Sequence, residues 1–198
     1  MLKNKIVILI YQLVGKKEFI LETTINKLKQ EFNDIISLTK ELFVNKSAET
    51  FNKKPNPESW SAAECLAHLN YSAIGYLNNV IGSFSHKYEG NRNQPYKPRL
   101  LVSKFIKSVG PDSKIRAKTS SKADFSLSIL DFKLVDEFIG FQNKFIELLN
   151  RISLQDMKKV KVRSPFINII KFQLGEMFLI NLFHQLRHLN QAKKAMGQ

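Results

Sequence analysis

The sequence predicts an all-α fold, a four-helix bundle with a long crossover between its second and third helices. Three observations carry this. Apolar residues recur at steps of four and three in four separate stretches, the period of a helix with one buried face. Glycine is scarce, 8 of 198 residues, beside 15 phenylalanines, a composition that favours helices over turn-rich β folds. Between the second and third patterned stretches lies a connection of roughly residues 83–130, with its own turn signals at Gly90, Pro95 and Pro98.

Taken in order, residues 1–17 form an apolar N-terminal extension ahead of a bundle domain spanning 18–198. Lys3 and Lys5 precede an apolar run from Ile6 to Val14, shorter than the ~20 residues of a membrane-spanning helix. Lys16 and Lys17 follow where small residues would mark a cleavage site. An extra helical turn, a strand-like arm and an over-extended reading frame all fit this segment. The first bundle helix is predicted from Phe19 to Phe43, with Leu21, Ile25, Leu28, Phe32, Ile35, Thr39 and Leu42 as its stripe.

Pro55 and Pro57 then hold the chain extended, and Ser61 with Glu64 three residues later reads as a capping box. Trp60, just before the cap, is placed for a hydrophobic staple to Cys65. The second helix runs to about Gly82 through Ala62, Leu66, Leu69, Ala73, Leu77 and Val80. His68 lies at the edge of that stripe, a position that suits a water-accessible cleft and a half-exposed surface equally well.

Within the crossover, Arg99 to Val109 is predicted as a short amphipathic helix through Leu101, Phe105 and Ile106, and Lys114 to Ser126 as irregular or extended. His86 falls among polar residues and receives no role. The third helix spans Asp131 to Ile152, with Leu134, Phe138, Phe141, Phe145, Leu148 and Ile152 facing inward. A basic loop containing Ser164 and Pro165 follows. The final helix begins near Leu174 and ends in Lys193 and Lys194, cations placed against the negative end of its dipole.

The chemistry concentrates in that last helix. His184 and His188 are four residues apart, which at 100° per residue sets both imidazoles on one face, one turn apart. Such a pair can supply two ligands to a divalent metal, and equally can be two hydrogen-bonded core histidines. A third histidine would favour the metal, and His68, at the edge of its own stripe, leaves both of its readings open here. Three neutral imidazoles suit Zn or Ni and leave coordination positions open. An open site of that kind lowers the pKa of bound water towards about 7 or holds a thiol as its thiolate.

The net charge of +14, from 31 basic and 17 acidic side chains, raises nucleic acid or an anionic membrane as a partner. The cations are spread over every segment. The densest runs, Lys114 to Lys122 and Lys158 to Arg163, fall in predicted loops without aromatic interleaving. A solvated basic surface is therefore expected, with no specific nucleic acid and no membrane span. The single cysteine, Cys65, excludes an internal disulfide and fits a reducing, cytoplasmic compartment. One helical turn before His68, it reads as a small core residue in preference to a reactive thiol.

Pro55-x-Pro57-x-x-Trp60-Ser61, Glu64, His68-Leu69 and His184-x-x-Arg187-His188-x-x-Gln191 together resemble the DinB-like family of metal-binding four-helix bundles, over roughly residues 18–198. The resemblance implies that His68, His184 and His188 bind one divalent metal. It also implies an activity among those of the family, which includes YfiT-type metal-dependent hydrolases and thiol-dependent transferases and isomerases that use bacillithiol or mycothiol. The expected partner is a small-molecule substrate, with a low-molecular-weight thiol as one form of it, and a homodimer is compatible with this reading. Gln191, on the histidine face, is a candidate to orient a ligand. Arg187 is a candidate for an anionic substrate, or an interface arginine. The resemblance does not predict residues 1–17 or the strongly basic surface. The alternatives are a bundle that keeps the fold and binds metal or ligand without catalysis, and a basic surface binder.

Overall fold

A computed structural model describes residues 21–81, 93–115, 119–126, 129–167 and 169–197. The predicted extension 1–17 and His86 lie outside these. The described residues form seven α-helices: α1 (Ile25–Phe43), α2 (Ala48–Asn52), α3 (Ala62–Ile81), α4 (Leu100–Val109), α5 (Leu134–Arg151), α6 (Leu154–Lys159) and α7 (Leu174–Ala195). One antiparallel hairpin, β1 (Lys161–Arg163) with β2 (Lys171–Gln173), precedes α7. The four long helices are the four predicted from the stripes. α1 and α3 each pack against both α5 and α7, and α3 meets α7 most extensively.

The first helix starts later than expected. Leu21 fits the spacing and is buried, yet Leu21 to Thr24 is extended, and Thr23 exchanges backbone hydrogen bonds with Tyr96 at 3.0 and 2.7 Å. Thr24 is the N-cap, its hydroxyl accepting from the Lys27 N–H at 3.1 Å. Capping by a β-region threonine and a backbone bridge outweigh the helical periodicity. At the far end Asn45 has φ 56°, the left-handed conformation that asparagine tolerates.

Ser61 and Glu64 form the predicted capping box, with N–H to side-chain distances of 2.7 and 3.2 Å. The run from Lys158 to Arg163, expected as loop, is the end of α6 followed by β1. α6 has its own box of Ser153 and Asp156, and α7 one of Gln173 and Glu176. The crossover residues Ser121–Ala123, expected to be irregular, make a single 3-10 turn.

The core is aromatic at its centre. Phe32 of α1 stacks on Phe145 of α5 with ring centroids 5.4 Å apart and meets Phe178 of α7 edge-on at 6.1 Å. All three rings are fully buried. Phe32→Ala removes the ring that touches both partners and should cost about 3–5 kcal/mol in denaturant unfolding, with helical circular dichroism retained below the midpoint.

Glu176 in the first turn of α7 is also fully buried. Arg99 donates to it through Nε at 2.8 Å and Nη2 at 2.7 Å, and through its backbone N–H at 3.0 Å, while the Gln173 N–H adds a fourth bond at 2.8 Å. Burial alone would raise the Glu176 pKa; the Arg99 guanidinium and the two backbone N–H groups outweigh it and hold the carboxyl below its ordinary value. Beside it the Tyr96 ring lies on Gly175, where any Cβ would come within 2.5 Å of the ring. Arg99→Met leaves the buried carboxylate with only its backbone donors and should destabilise the fold by about 1–3 kcal/mol in chemical denaturation.

Candidate metal centre

His68 projects from α3 and His184 and His188 from α7, the two helices with the most extensive contact. The three rings meet pairwise at centroid distances of 5.1, 4.8 and 4.6 Å. One ring nitrogen from each lies within 4.8 Å of the other two. Nε2 of His68 and Nε2 of His184 are 3.2 Å apart. Two nitrogens on one tetrahedral zinc, at 2.0–2.1 Å bonds, stand about 3.3 Å apart, so this pair already has the spacing of two ligands.

The surroundings choose the tautomers. Nδ1 of His68 faces the Ala123 carbonyl at 2.9 Å, and Nδ1 of His188 faces Oε1 of Gln191 at 3.0 Å. A carbonyl oxygen only accepts, so each Nδ1 carries the proton and each Nε2 keeps its lone pair for the centre. His184 differs: its Nδ1 is buried without a hydrogen-bond partner among the described residues. The side-chain amides of Asn181 and Gln185, on the same side of α7, are likewise buried and unpartnered there. The donor set is thus three imidazoles, among the described residues without a carboxylate in the cluster, and it fits a borderline divalent metal such as Zn or Ni.

The position of His68 is a correction. Its place at the edge of the stripe suited a water-accessible cleft and a half-exposed surface equally, yet it is 6% exposed, because the 3-10 turn of the crossover folds over it and supplies the Ala123 carbonyl. His184 and His188 are half-buried. Trp60 stacks on His188 at 5.6 Å and tilts against His68 at 5.1 Å. Phe166, from the hairpin tip, lies over His68 at 6.4 Å and edge-on to His184 at 6.3 Å. Sequence reasoning gave Trp60 a helix-start role and gave Phe166 none. The Pro-x-Pro-x-x-Trp pattern held the signal for Trp60, whereas nothing local marks Phe166.

The remaining candidates are also placed. Gln191 is hydrogen-bonded to His188. Arg187 donates to the carbonyls of Ser108, at 3.2 Å, and Ile115, at 2.6 Å, so its charge meets the C-terminal end of α4. Cys65 is fully buried in the core, and burial pushes its thiol pKa up.

Burial lowers the pKa of all three histidines; at His68 the Ala123 carbonyl and the Asp124 charge oppose it in part, whereas His184 and His188 are lowered further by the charges around them, His188 to about 3. The imidazoles therefore stay neutral below the free value of about 6.5, and proton competition with a metal sets in at lower pH than for free imidazoles. For the metal-free protein the sign is fixed. The unfolded chain binds protons near pH 6.5 that the folded chain refuses, so stability is full above that pH and declines as pH falls towards 3. Between pH 6.5 and 5 carboxylates contribute little. In that window the unfolding free energy of metal-free wild type should decline more steeply than that of His188→Gln, measured by urea titration at several pH values.

Helices, aromatic frame and three convergent imidazoles define a helical bundle with a histidine-only cluster that could hold a metal ion. The family model for the DinB superfamily matches residues 28–192, and the chain belongs to that superfamily. No curated protein and no solved structure matches it.

Proposed function

We propose that the chain is a metal-dependent enzyme, a hydrolase or a thiol S-transferase, that holds one Zn or Ni ion through His68, His184 and His188. The observation that carries this reading is the 3.2 Å approach of two imidazole nitrogens with a third beside them, in a member of the DinB superfamily. When bound, the metal supplies Lewis acidity, enough to bring a water pKa towards about 7 or to keep a thiol ionised. The chain's own part is to fix two tautomers through Ala123 and Gln191, to keep the imidazoles neutral by burial, and to screen the site with Trp60 and Phe166. The substrate is a small molecule, and a low-molecular-weight thiol suits a site that has no protein thiolate of its own. Cys65, unpaired and buried, suits a cytoplasmic setting.

A second reading, a metal- or ligand-binding module without turnover, is favoured by the absence of any carboxylate from the cluster among the described residues. Turnover of ester, amide or thiol-transfer substrates by metal-loaded protein separates the two.

Elemental analysis of protein purified without an affinity tag should find stoichiometric Zn or Ni. His68→Ala, His184→Ala and His188→Ala should each lose it while keeping helical circular dichroism, since the Leu and Phe stripes hold the bundle. Wild type without bound metal, even after reconstitution, would overturn the proposal.

A further inference from the structure

The hairpin before α7 is built in a way that the metal centre does not require. From Met157 to Gly175 the sequence has five cations and no acidic residue. β1 and β2 alternate, so Val162 and Phe172 face the core while Lys161, Arg163 and Lys171 are exposed on the opposite face. Arg163 stands directly across from Lys171 in the register. Like charges opposite one another destabilise a strand pair, and none of these three cations has an ion pair among the described residues.

The tip reverses the chemistry. Phe166, Ile167, Ile169 and Ile170 are all exposed, Ile169 by 91%. Described residues on either side of the tip are tied by hydrogen bonds. The Ser164 hydroxyl accepts from the N–H groups of Phe166 and Ile167 at 3.2 Å, and the Ser164 N–H donates to the Ile170 carbonyl at 2.9 Å. Pro165 rests on Gly75 of α3, where a Cβ would lie 2.5 Å away. The first turn of α4 flanks β2, since Arg99 also reaches the Lys171 carbonyl, and it adds Leu100 and Leu101, the latter 79% exposed.

An apolar tip above a ring of cations matches the two layers of an anionic bilayer surface, hydrocarbon beneath negatively charged headgroups. We propose that the hairpin docks the protein on an anionic lipid surface, with the isoleucines entering the headgroup boundary and Lys161, Arg163 and Lys171 meeting lipid phosphates and carboxylates. Charge complementarity with a chain of net charge +14 favours this occupant over a second copy of the same basic chain. The isoleucines favour it over nucleic acid, which offers no apolar layer beneath its phosphates. Docking is peripheral, as no helix among the described residues is long and apolar enough to cross a membrane.

The test uses the full chain with vesicles of phosphatidylcholine alone and with vesicles in which a third of the lipid is phosphatidylserine. The protein should sediment with the anionic vesicles and not with the neutral ones, less so as salt rises. Replacing Lys161, Arg163 and Lys171 together by Ser should weaken partitioning about a hundredfold, at roughly fivefold per cation. Ile167→Ser with Ile169→Ser should weaken it about tenfold or more, with thermal melting unchanged. An Ile169→Trp reporter, at so exposed a position, should shift its emission to the blue only on anionic vesicles. Failure to sediment with anionic vesicles at low salt would overturn the proposal. So would binding that ignores the isoleucine pair, the behaviour of a nucleic-acid surface, or a change of oligomeric state in the isoleucine variant, which would make the tip a contact between copies.

Discussion

The buried carboxylate of Glu176 is the constraint on which the arrangement depends. Four hydrogen bonds converge on it from Arg99 and Gln173, joining the start of α4, the end of β2 and the first turn of α7. Removing a charge from water is costly unless every oxygen is matched, so these segments are held in one relation. Gly175 under the Tyr96 ring closes the same corner from the other side. From there α7 runs roughly 12 Å, at 1.5 Å per residue, to His184. The histidine pair is therefore aimed by a junction two turns away that has no part in metal chemistry.

At the other end of that lever, polarity is handled in the opposite way. Trp60 and Phe166 cover the imidazoles with rings, and burial keeps the rings neutral. Three neutral imidazoles would leave the charge of a divalent ion uncompensated, in a protein that is itself strongly basic. A divalent ion held there would favour an anionic partner. Arg187 adds to this field, its charge lowering the pKa of His184 and His188, while its bonds to the carbonyls of Ser108 and Ile115 hold the guanidinium in place.

The long helices were legible because burial at a fixed period leaves a mark at every turn, as at Phe32, Phe145 and Leu189. Ser61 with Glu64 was legible because the capping box has a residue signature. The boxes of α6 and α7 were harder, since one uses Asp in place of Glu and the other caps with Gln. Strands of three residues are too short for alternation to stand out, so the hairpin read as a basic loop. In the metal centre, sequence supplied the three histidines but not their cover. The partner of His68 is a backbone carbonyl, which any residue at position 123 would provide, and Phe166 reaches the site only because a proline packs on Gly75.

Phe166 belongs to both parts of the molecule. Its ring lies over His68 and His184 and edge-on to Tyr76 at 6.2 Å, yet it remains 43% exposed at the apolar tip. Ser164 and Pro165 fix its backbone on α3, so the tip cannot move far without disturbing the ring over the imidazoles. One side chain is thus shared between the apolar tip and the cover of the histidine cluster. The Ser164 hydrogen bonds and the Gly75 contact set the backbone, the ring itself packs against His68, His184 and Tyr76, and a glycine at position 75 is what lets Pro165 approach α3 so closely.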